Sequence, residues 1–276
     1  MKRGSLAQHP SQLRKERRKF FFLKIAFSFF IVLVLAVLSV WGLNYSLIDP
    51  NSTKVLGNVI VSAQDISDSV DRLIGGKYFG LIPKSNILFY PKEEILLALR
   101  SAFPILDTIE VKRGSFSALT ILVVERKPYG VYCEGDLDAP QNSCIFLDNN
   151  GFLYKETPTM TGSNFVIFES ASTSLDVNNI IFPSFFDSLK LFIAKLSDLK
   201  LEVRQVFENE NKDLEILVKG DTKLFLAPPF DFDMAFENLK TVLSGSILRE
   251  NIKISDVEYV DLRFGNRVYY KLKALQ

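Results

Sequence analysis

The chain has 276 residues, 47% of them hydrophobic and 24% charged, and its 33 basic and 32 acidic side chains leave a net charge of +1. Eight of the basic residues precede residue 25, so the remainder is mildly acidic and is a poor candidate for binding nucleic acid. The single histidine, His9, lies near the N-terminus, which excludes Ser-His-Asp triads, Cys-His dyads and histidine metal sites from the rest of the chain.

An uncharged apolar run from Ile25 to Leu43 predicts a transmembrane helix. At about 1.5 Å per residue the run is about 28 Å long, close to the hydrocarbon thickness of a bilayer. It is longer than the apolar core of a signal peptide, and no A-x-A-like cleavage site follows it, so we expect an uncleaved single-pass anchor rather than a signal peptide. Because Lys and Arg are concentrated before the run, the N-terminus is expected in the cytoplasm and the bulk of the chain outside.

The segment before the anchor is a basic tail. We assign residues 1–19 to this cytoplasmic tail and residues 20–45 to the transmembrane anchor. Basic residues near a membrane attract anionic lipid, so the tail is expected to fix topology and to contact membrane lipid. A docking peptide for a cytoplasmic partner is the alternative. The anchor has no small-xxx-small pattern, so we expect no dimer driven by the anchor.

Residues 50–127 have the pattern strand, helix, helix, strand, strand. Ser62 is predicted to cap the first helix, which Gly75-Gly76 ends, and Pro91 is predicted to begin the second, which Pro104 ends. The predicted strands are Val55–Val61, Ile105–Lys112 and Leu119–Glu125.

Residues 128–273 are predicted to be a mostly antiparallel β domain with two helices, Phe182–Leu199 and Phe232–Leu243, the second capped by Asp231. A hairpin turn is predicted at Asp148–Gly151, because Asn and Gly accept positive φ. The predicted strands are Tyr129–Cys133, Cys144–Leu147, Gly151–Tyr154, Phe165–Glu169, Val203–Phe207, Leu214–Val218, Lys223–Leu226, Val257–Asp261 and Arg267–Leu272. The expected fold class is therefore α+β: a transmembrane helix, a βααββ domain and a β domain.

The chain has two cysteines, Cys133 and Cys144, both outside the anchor. Two cysteines that flank a short polar loop can form a disulfide in an oxidising compartment. The alternative is two free thiols in a weakly oxidising envelope. A structural zinc site is not expected, because it needs four nitrogen or sulfur ligands.

Several short strings of this sequence fall in a characteristic order. They are Val55-Leu56-Gly57-Asn58, Pro104-Ile105-Leu106, Glu125-Arg126-Lys127-Pro128, Asp148-Asn149-Asn150-Gly151 and Val260-Asp261-Leu262-Arg263-Phe264. With a βααββ unit after a single anchor, they are similar to the FtsQ/DivIB family of bacterial cell-division proteins, and the βααββ unit resembles a POTRA domain. The Cys133–Cys144 insertion and the long Gly76–Tyr90 connection depart from the family pattern.

The resemblance implies a scaffold of the division septum, with no enzymatic activity, no cofactor and no metal. Proteins of this family bind small single-pass coiled-coil proteins of the FtsL and FtsB/DivIC kinds outside the membrane, and help to recruit the machinery that makes septal peptidoglycan. The POTRA unit is associated with recruitment, and the last strands of the β domain with partner binding. The implied location is the bacterial cell (inner) membrane at the septum.

The last strand, Arg267–Leu272, is predicted to be the partner-binding edge. A strand near a chain end often lies at a sheet edge, where a peptide can add to its unpaired backbone groups. Alternation places Val268 and Tyr270 on one face and Tyr269 and Lys271 on the other. An ordinary edge strand protected by its basic side chains is the alternative. The expected interface residues are Asp261, Arg263, Arg267, Val268, Tyr269 and Tyr270.

We also predict structural roles for the charged residues in two of these strings. Asp261 and Arg263 lie two residues apart, so they are expected to form a local ion pair on a solvated face, contributing under about 1 kcal/mol. Glu125 and Arg126 point to opposite faces of a strand, and we expect one of them to join the two domains. Pro128 is expected to end that strand.

Enzymatic alternatives have weak support. Ser197 and Lys200 match the Ser-x-x-Lys of penicillin-binding enzymes, but the Ser-Asp-Asn and Lys-Thr-Gly strings that this motif requires do not occur. Asp136, Asp138 and Asp148 do not have the spacing of a calcium-binding EF-hand loop. The remaining alternatives are a membrane-anchored cell-wall enzyme, a POTRA module that serves an outer-membrane barrel, and a general envelope interaction module not specific to division.

Overall fold

The computed structural model describes residues 10–43, 47–49, 52–80, 82–115, 117–134, 144–157, 165–171, 175–247 and 254–274. The chain forms two compact units, one of residues 1–102 and 108–124 and the other of residues 103–107 and 125–276. The structure is mixed α+β, with one apolar N-terminal helix and a large sheet, as the sequence predicts at that level.

The N-terminal helix α1 (Pro10–Leu43) contains the apolar run. Its segment Arg18–Gly42 is long and apolar enough to cross a membrane, and none of that segment is buried. The helix begins well before the predicted anchor, because Pro suits a first helical position and Leu, Lys, Arg and Glu favour helix propagation. Residues 1–9 of the predicted tail, and the end of the predicted anchor at residues 44–45, lie outside the described residues.

The first unit is built around a small sheet and two helices. Its elements are β1 (Lys54–Leu56), α2 (Ala63–Ile74), β2 (Lys77–Tyr78), β3 (Ile82–Pro83), α3 (Lys92–Ala102), β4 (Leu106–Ser115) and β5 (Ala118–Glu125). The sheet order is β1-β5-β4, and β1 is parallel to β5. The predicted βααββ order is present, with a short β2–β3 hairpin added inside the long connection between the helices.

The first predicted helix has the predicted cap, and one of its faces is buried. The Ser62 hydroxyl accepts a hydrogen bond from the Gln64 backbone N–H at 3.2 Å, and Ile66, Val70 and Ile74 are buried. A Ser side chain at this position satisfies one of the amides that a helix start leaves unpaired. These signals are local in the sequence, and the helix is therefore confirmed.

The strand predicted over Val55–Val61 is wrong beyond Leu56. The chain turns at Gly57, whose φ is +92°, a conformation that disfavours residues with a Cβ atom. A Cβ atom there would clash with the Val123 carbonyl oxygen, because β5 approaches the backbone of this turn closely. The tertiary contact, and not the β propensity of the next residues, ends the strand.

Replacing Gly57 with alanine is expected to destabilise the first unit by about 1–3 kcal/mol, because it adds backbone strain and a clash with β5. Gly80→Ala is the matched control: its φ is +73° but a Cβ atom there would meet no atom within 4 Å. Hydrogen exchange of first-unit peptides in the full-length protein should show faster exchange for Gly57→Ala than for Gly80→Ala. Equal effects of the two substitutions would contradict the steric explanation.

The second unit contains a nine-stranded sheet and two helices, α4 (Phe186–Asp198) and α5 (Phe232–Val242). Its strands are β6 (Gly130–Cys133), β7 (Cys144–Leu147), β8 (Leu153–Thr157), β9 (Val166–Ser170), β10 (Val203–Glu208), β11 (Leu214–Val218), β12 (Thr222–Leu226), β13 (Val257–Phe264) and β14 (Arg267–Leu272). The strand order is β14-β13-β12-β11-β10-β9-β6-β7-β8. Three neighbouring pairs are parallel, β12–β13, β9–β10 and β6–β9, and the others are antiparallel.

The main core of the second unit lies between one face of this sheet and the two helices. Alternate residues of the strands point inward, which is the period expected of a strand with one buried face. The largest buried side chains include Phe168 on β9 and Phe192 on α4. The predicted cap of the second helix is confirmed, because the Asp231 carboxylate accepts a hydrogen bond from the Met234 N–H at 2.9 Å.

Two elements of this unit begin two residues or more after the predicted position, and strands β8 and β13 each end three residues later than predicted. Strand β8 begins at Leu153, not at Gly151, because Gly151 has a φ of +76° and belongs to the preceding turn. Helix α4 begins at Phe186, four residues later than predicted, because Phe182 has a φ of +45°, which a right-handed helix does not contain. The predicted meander, in contrast, is confirmed as β10, β11 and β12.

Candidate functional site

Strand β14 forms one edge of the nine-stranded sheet. It pairs with β13 along one side, in antiparallel register from Val257–Leu272 to Phe264–Arg267. Within the part of the chain that the structure describes, no strand pairs with its other side. The backbone groups on that side are therefore available to an incoming chain.

The register decides which backbone groups of β14 face outward. The Lys273 N–H donates to the Asp256 carbonyl at 2.8 Å, so residue 273 faces β13. In an antiparallel pair, successive residues of a strand direct their N–H and C=O groups alternately toward and away from the neighbouring strand. The β13–β14 pairing has two register shifts, and the extra residue of each lies on β13, so the alternation along β14 is unbroken. The outward groups therefore belong to Val268, Tyr270 and Leu272.

The side chains of β14 alternate as well. Val268 and Tyr270 are half-buried and pack against the main core, whereas Tyr269 and Lys271 are exposed. The Tyr269 ring contacts the Phe264 ring edge-to-face, with 5.4 Å between their centroids. Lys271 pairs with Glu258 at 2.8 Å, and this hydrogen bond raises the pKa of Lys271. An added strand would thus meet aromatic and basic side chains at this edge.

The opposite edge of the sheet, β8, differs from β14 because another segment covers its beginning. The Leu153 N–H donates to the Asn179 carbonyl at 2.8 Å, and the Asn178 N–H donates to the Leu153 carbonyl at 2.8 Å. Phe152 also forms a β-bridge with Ile180. Of the two edges, β14 is therefore the one whose described residues present an uninterrupted row of outward-facing backbone N–H and C=O groups.

A charged cluster on β13 lies behind this edge. Arg263 donates to Asp261 from Nε at 2.9 Å and from Nη2 at 2.6 Å, and its Nη1 lies 3.0 Å from Asp213. Asp213 belongs to the β10–β11 turn. The expected ion pair between Asp261 and Arg263 is present and Arg263 is exposed, but the expectation of a solvated face is wrong for Asp261, which is only 6% exposed.

The cluster therefore has a positioning role. Asp261 stands opposite Tyr269 in the β13–β14 register, so Asp261 and Arg263 hold the strand that supports the edge and do not themselves lie on it. Arg263 also lies over the Phe225 ring, 5.4 Å from its centroid. The other expected interface residues, Arg267 to Tyr270, do lie on the edge strand.

The stability of the second unit should depend on the ionisation of Asp261. Burial of the carboxyl opposes ionisation, but the hydrogen bonds from Arg263 outweigh it and hold the pKa of Asp261 below its ordinary value of 3.8. A carboxyl with a lowered folded-state pKa stabilises the fold above its unfolded pKa, and loses that contribution as the pH falls through the folded pKa. The difference in stability between the wild type and Asp261→Asn should be constant near neutral pH and shrink below about pH 4.

Urea unfolding at several pH values, followed by hydrogen exchange of β13 peptides, measures this difference. Asp233→Asn is the control, because that carboxylate is 86% exposed. A wild-type advantage over Asp261→Asn that does not change between pH 7 and pH 3 would contradict the role of the Arg263 bonds.

A second charged network joins two of the sequence strings. Arg126 forms an ion pair with the buried Asp148, a second one with Asp107 at 2.9 Å, and a hydrogen bond from Nε to the Pro104 carbonyl at 3.1 Å. Asp148 also accepts the N–H groups of Asn150 at 2.7 Å and Phe152 at 3.1 Å. All these residues belong to the second unit, so Arg126 links parts of one unit.

Sequence reasoning missed this pairing. The partners Arg126 and Asp148 each lie in one of the strings, yet nothing in either string names the other as its partner. The one available signal was that both strings end a strand next to a turn, where charged side chains commonly bind free backbone groups.

The two cysteines stand opposite each other on adjacent strands. Cys133 on β6 and Cys144 on β7 are register partners and are joined by a disulfide. Both are buried beside Val131, on the sheet face away from the main core. The loop between them, residues 135–143, lies outside the described residues, as do the carboxylates Asp136 and Asp138.

The residues of the enzymatic alternatives are placed as follows. Ser197 lies in the last turn of α4 and is exposed, and Lys200 follows the helix with a φ of +62°. Asp148 is bound to Arg126. Among the described residues, no group of three or more His, Cys, Asp or Glu side chains is arranged to hold a metal ion.

No family model matches this chain, and no curated protein matches it. The function is therefore inferred from the residues and their geometry. Three features carry that inference: a helix that could cross a membrane, a βααββ unit, and a large sheet whose last strand leaves an outward edge.

Proposed function

We propose that this chain is a bitopic, non-enzymatic scaffold of bacterial cell division, of the FtsQ/DivIB kind. It captures small single-pass coiled-coil proteins, FtsL-like and FtsB/DivIC-like, on the extracytoplasmic side of the cell membrane and helps to assemble the septal peptidoglycan machinery. The observation that carries the proposal is the outward edge of β14, which offers the backbone groups of Val268, Tyr270 and Leu272.

The placement at the membrane is supported by α1 and by the charge asymmetry around it. The segment Arg18–Gly42 is about 37 Å long as a helix, enough to cross the hydrocarbon core. Basic residues precede it, which favours a cytoplasmic N-terminus. The Cys133–Cys144 disulfide suits an oxidising compartment outside the cytoplasm.

Capture by strand addition is supported by the chemistry of the edge. An extended partner segment gains backbone hydrogen bonds from the outward row, and the side chains at alternate positions give specificity. The exposed side chains of this strand are Arg267, Tyr269, Lys271 and Leu272, so an amphipathic partner segment with acidic residues suits it. The Asp261–Arg263–Asp213 cluster keeps β13 in place, so that the edge is rigid before the partner binds.

The first unit has the βααββ order and the β1-β5-β4 sheet of a compact interaction module. We assign it a POTRA-type role in recruitment to the division site. This role rests on the order of elements and on the short strings that resemble the family. The proposal requires no cofactor, because capture and assembly involve no bond making.

Affinity capture of the full-length protein from gently solubilised cells, read by mass spectrometry, tests this function. Short single-pass coiled-coil proteins and septal peptidoglycan enzymes should be recovered together. Recovery of other envelope proteins without any of these would contradict a division role and would favour a general envelope interaction module. Accumulation of the tagged protein at the septum, seen by fluorescence microscopy, is the matching test of location.

A further inference from the structure

The chain enters the first unit through a short segment that follows α1. Leu47 forms an antiparallel bridge with Asn86, and the Ile48 N–H donates to the Ser85 carbonyl at 2.7 Å. Helix α1 also contacts β3. Because α1 ends at Leu43 and each residue spans at most about 3.6 Å, Asn86 lies within about 20 Å of the end of the helix.

The turn at Asn86 presents two apolar side chains to solvent. Asn86 itself is fully buried, its side-chain oxygen accepts the Leu88 N–H at 2.9 Å, and its carbonyl accepts the Phe89 N–H at 3.0 Å. These bonds fix the turn, yet Leu88 is 54% exposed and Phe89 is 49% exposed. Hydrogen bonds therefore fix the backbone of this turn, and two of its apolar side chains are exposed near the segment that follows α1.

A third apolar group stands at the tip of the β2–β3 hairpin. Phe79 is 98% exposed and has a φ of +49°, a conformation uncommon for a bulky residue. The Lys84 N–H donates to the Gly76 carbonyl at 2.8 Å, which fixes the base of the hairpin. Strand β3 of this hairpin contacts α1.

Exposed large apolar side chains that lie together mark an interaction surface, and Leu88 and Phe89 are adjacent in this turn. Aromatic and leucine side chains are stabilised at the boundary between lipid headgroups and acyl chains. The occupant is identified by the tether: a bilayer crossed by α1 is connected to this unit through only three residues between Leu43 and Leu47, which gives it a very high effective concentration near the turn.

We infer that Phe79, Leu88 and Phe89 form a membrane-seating surface that inserts into the outer boundary of the bilayer next to the anchor. The inference rests on the proposed role of α1 as a membrane anchor and adds a second lipid contact, made by the folded unit itself. The surface holds the first unit at a fixed height above the membrane, so the anchor and the first unit behave as one oriented body.

Single-tryptophan variants of the full-length protein test this inference, because Trp41 is the only tryptophan of the chain. The protein is reconstituted into phosphatidylcholine vesicles with brominated acyl chains, which quench tryptophan on contact. The wild type reports on the anchor through Trp41. Trp41→Phe combined with Phe79→Trp reports on the membrane-seating surface.

Trp41→Phe combined with Val124→Trp is the matched control. Val124 is an apolar residue of the same unit and is 55% exposed. Val124 lies six residues after Ala118, the first residue of β5, which is about 20 Å along the strand. Ser117, just before β5, accepts a hydrogen bond from the Asp49 N–H, so that end of the strand lies near the segment that follows α1. The control therefore carries an exposed tryptophan on the same fold, away from the chain entry.

Brominated lipid should lower the emission of the Phe79→Trp variant by about twofold or more and leave the Val124→Trp variant nearly unchanged. Quenching of Trp41 without quenching at position 79 would overturn the membrane-seating surface and leave the anchor in place. Equal quenching at positions 79 and 124 would show non-specific adsorption and would also overturn it. An unquenched Trp41 would contradict the anchor and the inference together.

Discussion

Asp148→Ala is expected to destabilise the second unit by about 3–5 kcal/mol. The substitution leaves Arg126 partly buried without its closest partner, and it removes the acceptor of the Asn150 and Phe152 N–H groups. Breaking a buried ion pair from one side costs more than the pair contributes, because the remaining charge is left desolvated. Urea unfolding of the full-length protein, followed by hydrogen exchange of β7 and β8 peptides, measures the loss.

Asp107→Ala is the matched control for this prediction. Asp107 pairs with the same guanidinium group of Arg126, but its side chain is 45% exposed, so its loss should cost less than about 1 kcal/mol. A similar cost for Asp107→Ala and Asp148→Ala would show that burial does not set the strength of this network. A cost below 1 kcal/mol for Asp148→Ala would contradict the network's role in stability.

Val268→Pro is expected to weaken partner capture by about tenfold or more while the second unit stays folded. Proline has no N–H, and the Val268 N–H is one of the outward groups that an added strand would use. The bulk of the proline ring also obstructs the approach of a strand. Proline is tolerated on an edge strand where its position faces solvent, so the β13–β14 ladder should remain.

Two companion variants separate the backbone from the side chain and from the fold. Val268→Ala keeps the N–H and should keep most of the capture. Tyr269→Pro removes an N–H that faces β13, so it should loosen β14 and speed its hydrogen exchange. Capture that survives Val268→Pro in a folded protein would rule out strand addition at this edge, and capture lost equally in Val268→Ala would assign the contact to the side chain.

Features with local causes could be predicted from the sequence. Ser62 and Asp231 were recognised as helix caps because a capping side chain binds an amide two or three residues away. The β10–β12 meander was recognised because alternation of apolar and polar residues is a property of each strand alone. The β2–β3 hairpin was missed, because each of its strands is only two residues long.

Features with distant causes could not be predicted. The end of β1 depends on the approach of Val123 to Gly57, and Arg263 binds Asp213, fifty residues earlier, as well as Asp261. The three parallel strand pairs of the nine-stranded sheet likewise follow from crossovers that no local pattern encodes. In the candidate site, a terminal position suggested that β14 is an edge, but only the Lys273–Asp256 hydrogen bond shows which amides face outward.

The central proposal is that the outer edge of β14 receives the partner, and photo-crosslinking in living cells tests it most directly. A photoreactive amino acid is placed at Tyr269 on β14 or, as the matched control, at Glu156, an exposed position of β8 at the opposite edge. Crosslinked products of the full-length protein are then identified by mass spectrometry. We predict short single-pass coiled-coil proteins at position 269 and none at position 156. The same proteins at position 156, or their absence at position 269, would contradict the proposal.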